Sequence, residues 1–254
     1  MKSIQRIDKS AELTQQVLGA VMENPVIRVD RLSFLESNFG ENPELEFKRP
    51  IDIYPYNVLD QRAKEAIDLH LSAATATSTL AGIPGGWAMV PAGFADIIQY
   101  YSNTLCIIQK LGYIYWWPDL RDKNGEFPES TIHALLVYMG VALGLPAANK
   151  FIQKMAKAFG TKLAADIIKK PVTKQMWYQV LKAILKAFGK KLTKEIASQI
   201  VKKAVPVLGA AVSGSLTYVT FKKQCNRLQK KLKEEQQYSE SLNQHYIFNS
   251  GIIE

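Results

Sequence analysis

One apolar stretch, Thr79–Asp96, constrains the fold more than any other part of the chain, because it contains two prolines and four glycines. Proline lacks the backbone N–H and each interior glycine costs a helix about 1 kcal/mol relative to alanine, so this stretch cannot form one straight helix. The flanking segments Asp60–Leu80 and Ala92–Leu111 both have a helical pattern. The sequence therefore predicts an apolar helical hairpin with a buried turn, formed by Gly82, Pro84, Gly85, Gly86, Pro91, Gly93 and Asp96.

Every long periodic segment has the helical repeat, so the predicted fold class is all-α, with more than half of the residues in helix. The architecture expected is a multi-helix bundle around the hairpin, preceded by an N-terminal helix and a mostly irregular segment. The N-terminal helix is Ser3–Glu23, which ends at Asn24 and Pro25 and is expected to dock on the main domain. The predicted units are residues 1–55, an N-terminal helix plus a wrapping segment; 56–235, a helical domain; and 236–254, a tail.

The segment between residues 26 and 54 gives weaker signals. Arg31–Phe39 is predicted to be a brief helix, whereas Leu45–Phe47 and Ile51–Ile53 alternate between apolar and acidic residues. Such alternation over three residues, among several prolines, fits either short strands or an extended loop.

The apolar segments after the hairpin leave alternatives open. The aromatic cluster Tyr113–Pro118 fits core packing under a loop, a membrane-interface belt or a ligand-stacking platform. Ser130–Asn149 and Ala204–Phe221 are uncharged and as long as membrane spans, but their composition also fits closely packed helices of a buried core. The last long helix is expected at Pro206–Glu235, and its end could project as a charged stalk.

Charge is distributed unevenly along the chain. Lys150–Lys233 contains 20 basic and two acidic residues, a net charge of +18, whereas residues 1–149 carry −5 and residues 234–254 carry −4. In Val172–Phe188 the lysines stand on a different face from the apolar residues, which is the pattern of a basic amphipathic helix. Lysine-rich surfaces of this kind bind anionic lipid headgroups. The candidate lipid-binding residues are Lys174, Lys182, Lys186, Lys190, Lys191, Lys194, Lys202 and Lys203.

Other function classes have less support in the sequence. The three histidines, His70, His133 and His245, lie in separate segments, and no nucleophile, nucleotide-binding or metal-binding motif is present. No catalytic residue, metal or cofactor is therefore predicted. The two cysteines are expected to be buried small hydrophobes of a reducing compartment. Nucleic acid is disfavoured as a partner, because Arg227 is the only arginine among the basic residues of Lys150–Lys233.

Several short motifs occur in a fixed order between residues 60 and 119. They are Glu65-Ala66-Ile67-Asp68, the small-residue stretch Ala73–Ala81, Gly82-Ile83-Pro84-Gly85-Gly86, Val90-Pro91 and Gly112-Tyr113. This order resembles the core motif of the EcsC family of bacterial proteins, and Lys203–Leu216 resembles the family's C-terminal proline-glycine helix. The resemblance implies a helical fold in bacteria and, because no catalytic residues are established for the family, no active site. Where the family often has an asparagine after the second proline, this chain has Gly93.

Together these patterns predict a membrane-associated helical binding or accessory protein. It is expected at the cytoplasmic face of a bacterial membrane, peripheral to the inner membrane, with an anionic membrane surface or a membrane protein as its partner. One alternative is a membrane-permeabilising, pore-forming protein or its immunity partner, in which the hairpin inserts. Another is an enzyme of unknown type, and a third possibility is that the lysines are only a solvated face. The oligomeric state is left open.

Overall fold

Helices form all of the regular structure in the part of the chain that the computed structural model describes, residues 17–76, 95–159, 182, 186 and 219–237. The all-α prediction is therefore confirmed for these residues. The elements in chain order are α1 (residues 17–23), a 3-10 turn at Pro25–Ile27, α2 (Arg31–Phe39), α3 (Glu44–Phe47), a 3-10 turn at Pro50–Asp52, α4 (Tyr56–Ala76), α5 (Ala95–Tyr115), α6 (Glu129–Ala142), α7 (Pro146–Phe159) and α8 (residues 219–237).

Helix α5 is the centre of the fold. Between Tyr101 and Tyr115 only Asn103 and Lys110 are partly exposed, and the other side chains are buried. Helices α2, α4 and α6 and both 3-10 turns pack around it. Because nearly every side chain of this stretch is buried, other elements have to cover α5 on every side, and the shorter elements gather around it. The α4–α5 pair is the described part of the predicted hairpin, whose turn lies outside the described residues.

The C-terminal end of α5 differs from the prediction. The helix was predicted to end at Leu111, before a glycine, but it continues through Gly112 to Tyr115. The Trp117 ring folds back onto Gly112 so closely that an added Cβ would overlap it. Gly112 is therefore needed for this close approach, and it does not mark the end of the helix.

The N-terminal segment is docked on α5, as predicted for the end of the first helix. Val17 and Val21 of α1 are fully buried. The Asn24 amide donates to Ser102 Oγ at 3.0 Å, and the Gln109 amide donates to the carbonyl oxygen of Ile27 at 2.5 Å. The α1–α2 connection is therefore attached to the central helix by buried hydrogen bonds.

Residues 26–54 are more helical than expected. Helix α2 has the predicted bounds, but the alternating segments form α3 and a 3-10 turn, so the short strands considered for them are absent from this fully described segment. The buried Arg31 guanidinium holds the segment by donating to the carbonyl oxygens of Trp117 (3.1 Å), Leu45 (2.7 Å) and Lys48 (3.0 Å). These bonds satisfy backbone groups that a strand would have paired with a neighbouring strand.

The aromatic cluster and most of helix α6 belong to the core, whereas residues 204–218 of the predicted run Ala204–Phe221 lie outside the described residues. All five aromatic and apolar side chains from Tyr113 to Trp117 are at most 4% exposed, which confirms the core-packing interpretation of the cluster. The uncharged run Ser130–Asn149 is divided into α6 and α7 by a turn at Gly144, where φ is +74°. Helix α6 has 14 residues and is about 21 Å long, shorter than a bilayer's hydrocarbon core of about 30 Å. Within the described ranges, no helix is both long enough and apolar enough to cross a membrane.

Helix α8 packs against the bundle, so the idea that its end projects as a charged stalk is wrong. Phe221, Cys225, Leu228 and Leu232 are at most 4% exposed and recur at spacings of four, three and four. This spacing forms one apolar stripe along α8. Two charged residues beside the stripe, Lys222 and Lys233, form ion pairs with α4.

Candidate anion-binding groove

A groove of about 490 Å³ lies between α4 and α8. Its lining side chains recur every three or four residues on each helix, so each helix contributes one face. The lining residues are Asp60, Lys64, Ile67 and Asp68 from α4 and Lys222, Asn226, Gln229, Lys230 and Lys233 from α8.

An ion pair closes each end of the groove. Lys233 binds Asp60 at one end, and Lys222 Nζ lies 3.5 Å from Asp68 Oδ1 at the other. Because the earlier residue of α4 pairs with the later residue of α8, the two helices run antiparallel. Both carboxylates of the groove are thus neutralised by a lysine of the opposite helix.

Tyrosine hydroxyls join α8 to the rest of the bundle. Tyr115 donates to Asp60 Oδ1 at 2.9 Å and accepts a hydrogen bond from the Gln229 amide at 3.1 Å. Burial raises the pKa of the Tyr115 hydroxyl, so it remains a protonated donor at neutral pH. This network fixes Asp60 and Gln229 in the wall of the groove.

A buried carboxyl group lies near the end of α8. Tyr138 donates to Glu235 Oε2 at 2.5 Å, and the Trp117 ring packs edge-to-face against Tyr138. Glu235 Oε1 has no hydrogen-bond partner among the described residues, and Lys231 Nζ is 3.9 Å away from it. Burial raises the pKa of Glu235 to about 7, despite the opposing effects of Tyr138 and Lys231. Glu235 is therefore partly protonated at neutral pH.

The structure gives His70 and the two cysteines a packing role. His70 lies 3.0 Å from the carbonyl oxygen of Asn103 and stacks on Phe221, and burial lowers its pKa to about 4. Cys106 and Cys225 are buried free thiols, and burial raises the pKa of Cys225 to about 12. Protonated thiols in the core agree with the structural role predicted for the cysteines, and a neutral His70 packs in the same core. In the described part of the chain, no three His, Cys, Asp or Glu side chains lie close enough to hold a metal ion.

Two of the predicted lipid-binding lysines are described. Lys182 and Lys186 both have helical backbone and exposed side chains, and a spacing of four in a helix places two side chains on one face. Asp96 lies in α5 near its described start, but its side chain is outside the described atoms. The remaining predicted site residues lie outside the described residues: Lys174, Lys190, Lys191, Lys194, Lys202, Lys203, Gly82, Pro84, Gly85, Gly86, Pro91 and Gly93.

The groove residues were not among the predicted site residues. A signal was present in α4, where Asp60, Lys64 and Asp68 follow one another at intervals of four. That spacing predicts one charged helix face. It does not identify the opposite face, because α8 lies about 150 residues further along the chain.

No protein-family model, curated protein or solved structure matches this chain.

Proposed function

We propose that this protein is a helical binding or accessory protein that associates with an anionic membrane surface through its lysines, at the cytoplasmic face of a bacterial membrane. The observation that supports this most directly is the exposure of Lys182 and Lys186, one helical turn apart, within a segment of net charge +18. Each lysine near an anionic surface contributes about 1 kcal/mol to binding.

Helix α7 supports an electrostatic mode of association. Phe151 and Ile152 are buried in the core, whereas Lys150 and Gln153 are exposed. The apolar face of this part of α7 is therefore used for packing inside the bundle and is not available to enter lipid. What the described part of α7 offers to a membrane is the charge of Lys150, and electrostatic binding of this kind weakens with salt.

The resemblance to the EcsC family belongs to the same proposal. It suggests a bacterial protein with a helical core and no established chemistry, which is compatible with an accessory role. A membrane protein with an acidic cytoplasmic surface is the second kind of partner within this proposal, since the same lysines would bind it.

Liposome flotation tests the proposal with two matched variants. Lys182→Gln/Lys186→Gln removes two charges from the basic segment, and Lys48→Gln/Lys123→Gln removes two exposed lysines from the acidic part of the chain. At low salt, we expect the first variant to bind vesicles containing phosphatidylglycerol about 30-fold more weakly than wild type, and the control to bind like wild type. Equal binding by all three proteins would contradict the proposal, because Lys182 and Lys186 would then only form a solvated surface.

The same vesicles, loaded with a fluorescent dye, distinguish binding from permeabilisation. A peripheral protein binds them without releasing dye. Dye release at protein concentrations that saturate binding would instead favour the pore-forming alternative.

A further inference from the structure

We propose that the middle of the α4–α8 groove binds a phosphate group, either of a lipid headgroup or of a soluble ester, and the headgroup case rests on the proposed function. The two ion pairs occupy the ends of the groove, at Asp60 with Lys233 and at Asp68 with Lys222. The middle of the groove lies between these pairs. It presents Lys64 from α4 and Lys230 from α8, with Asn226 and Gln229 beside them.

The charges of the lining residues favour an anion. The groove contains four lysines and two aspartates, a net charge of +2, and both carboxylates already have a lysine within 4 Å. Lys64 forms no ion pair with any described residue. Lys230 lies 3.9 Å from Glu234, but their side chains are 79% and 51% exposed, so water screens this pair. Lys64 and Lys230 are therefore the two lining lysines whose charge is not neutralised by a carboxylate of the groove.

The other lining groups suit a phosphate. Asn226 is exposed and lies one turn from both Lys222 and Lys230, so its amide N–H is available to an anion in the groove. The Gln229 amide is already bound to Tyr115, which keeps this wall in place. The volume of about 490 Å³ is within the range of about 300 to 1,000 Å³ that is usual for small-molecule sites. A phosphomonoester carries up to two negative charges, which match the two lysines, and lysine binds phosphate as a point charge.

The first test measures binding of soluble phosphate to the full chain. Inorganic phosphate and glycerol 3-phosphate are titrated by calorimetry into wild type, Lys64→Gln/Lys230→Gln and the control Lys48→Gln/Lys123→Gln. We expect the groove variant to lose about 30-fold in affinity for at least one of the two probes, and the control to retain wild-type affinity. Circular dichroism of both variants establishes that the fold is intact.

A vesicle arm identifies the source of the phosphate. If it is a lipid headgroup, Lys64→Gln/Lys230→Gln also weakens flotation with vesicles containing phosphatidic acid, and glycerol 3-phosphate competes with that binding. If it is a soluble ester, the same variant loses the soluble probes and floats like wild type. Either result supports the groove.

The groove proposal is overturned if Lys64→Gln/Lys230→Gln changes neither soluble-probe binding nor flotation. It is also overturned if the control loses as much affinity as the groove variant, because the effect would then be one of net charge. The proposed function fails separately, when Lys182→Gln/Lys186→Gln and wild type bind anionic vesicles no better than neutral ones. The two failures are therefore distinguishable.

Discussion

Replacing Glu235 by Gln is expected to stabilise the fold above pH 7 and to change it little at pH 5. Glutamine has the shape and the neutrality of protonated glutamic acid, so it retains the hydrogen bond from Tyr138 without the cost of a buried charge. The wild-type carboxyl, in contrast, has to ionise in the core as the pH rises, with Lys231 Nζ 3.9 Å away from it.

The sign and the size of the effect follow from the pKa of Glu235. Burial raises it from the usual 4.5 to about 7 in the folded chain. A raised carboxyl pKa means that the stabilising contribution is fully present below pH 4.5 and is lost as the pH rises through 7. Between pH 5 and pH 8 the free energy of unfolding falls by about 2 to 3 kcal/mol, because each unit of pKa difference between the folded and unfolded chain corresponds to about 1.36 kcal/mol.

Urea unfolding at pH 5 and pH 8 measures this difference. The quantity to compare is the change in the free energy of unfolding between the two pH values, for wild type and for Glu235→Gln. Glu234→Gln is the matched control, because Glu234 is the exposed neighbour on the same helix. Wild type should lose about 2 to 3 kcal/mol more than Glu235→Gln over this range, and Glu234→Gln somewhat less than wild type, because the Glu234 charge also raises the pKa of Glu235.

Tyr138→Phe provides an independent check. The Tyr138 hydroxyl lowers the pKa of Glu235, so its removal should raise that pKa further and move the stability loss to higher pH. If wild type and Glu235→Gln depend on pH in the same way, or if the Glu235 carboxyl titrates near 4.5 by NMR, the reasoning about this buried group is refuted.

Three further variants test the packing around α2 and α5. Asp30→Ala should lower the free energy of unfolding by about 1 to 2 kcal/mol, because Asp30 caps α2 through the Ser33 amide and pairs with Arg121. These contacts lower the pKa of Asp30 to about 2. Unfolding measured at decreasing pH should therefore show this contribution fading below pH 4 in wild type but not in the variant. Gly112→Ala should cost about 1 to 3 kcal/mol and change tryptophan fluorescence, because the new Cβ displaces the Trp117 ring. Arg31→Met should cost at least about 3 kcal/mol in thermal unfolding, because the backbone carbonyl oxygens that Arg31 binds lose their donor; wild-type stability would contradict this role.

The central helices could be predicted from the sequence because their signal is local. Apolar residues every three or four positions predicted α5, and Asn24 with Pro25 predicted the end of α1. The end of α5 was misplaced because Gly112 is also a common helix terminator. A glycine is needed at position 112 because the Trp117 ring packs against it. This contact depends on a chain reversal after Tyr115, which the local sequence pattern does not encode.

Contacts that join distant segments explain most of what the sequence did not reveal. The stripe Phe221, Cys225, Leu228 and Leu232 is visible in the sequence, but the lysines around it suggested a helix that projects into water. Their partners Asp60 and Asp68 lie on α4, so the same charges that suggested projection hold α8 in place. The charge pattern of α8 alone therefore does not show that its lysines pair with aspartates of α4.

The short elements of residues 26–54 were difficult for a different reason. Leu45 is buried and Phe47 is 83% exposed, so the alternation predicted for a strand does not correspond to a buried and an exposed face. Hydrogen bonds from Arg31 to the carbonyl oxygens of Leu45 and Lys48 hold this segment, and the burial of Arg31 has no signature in the sequence.

The most direct test of the account is the binding of the full chain to vesicles at two salt concentrations. The Debye length falls from about 10 Å at 0.1 M to about 3 Å at 1 M, so electrostatic attraction to a surface is largely screened at the higher concentration. We predict flotation with anionic vesicles at 0.1 M salt, little flotation at 1 M, and little with neutral vesicles at either concentration. Equal flotation with neutral and anionic vesicles, or binding that is unchanged at 1 M salt, would contradict a lysine-based association with the membrane surface.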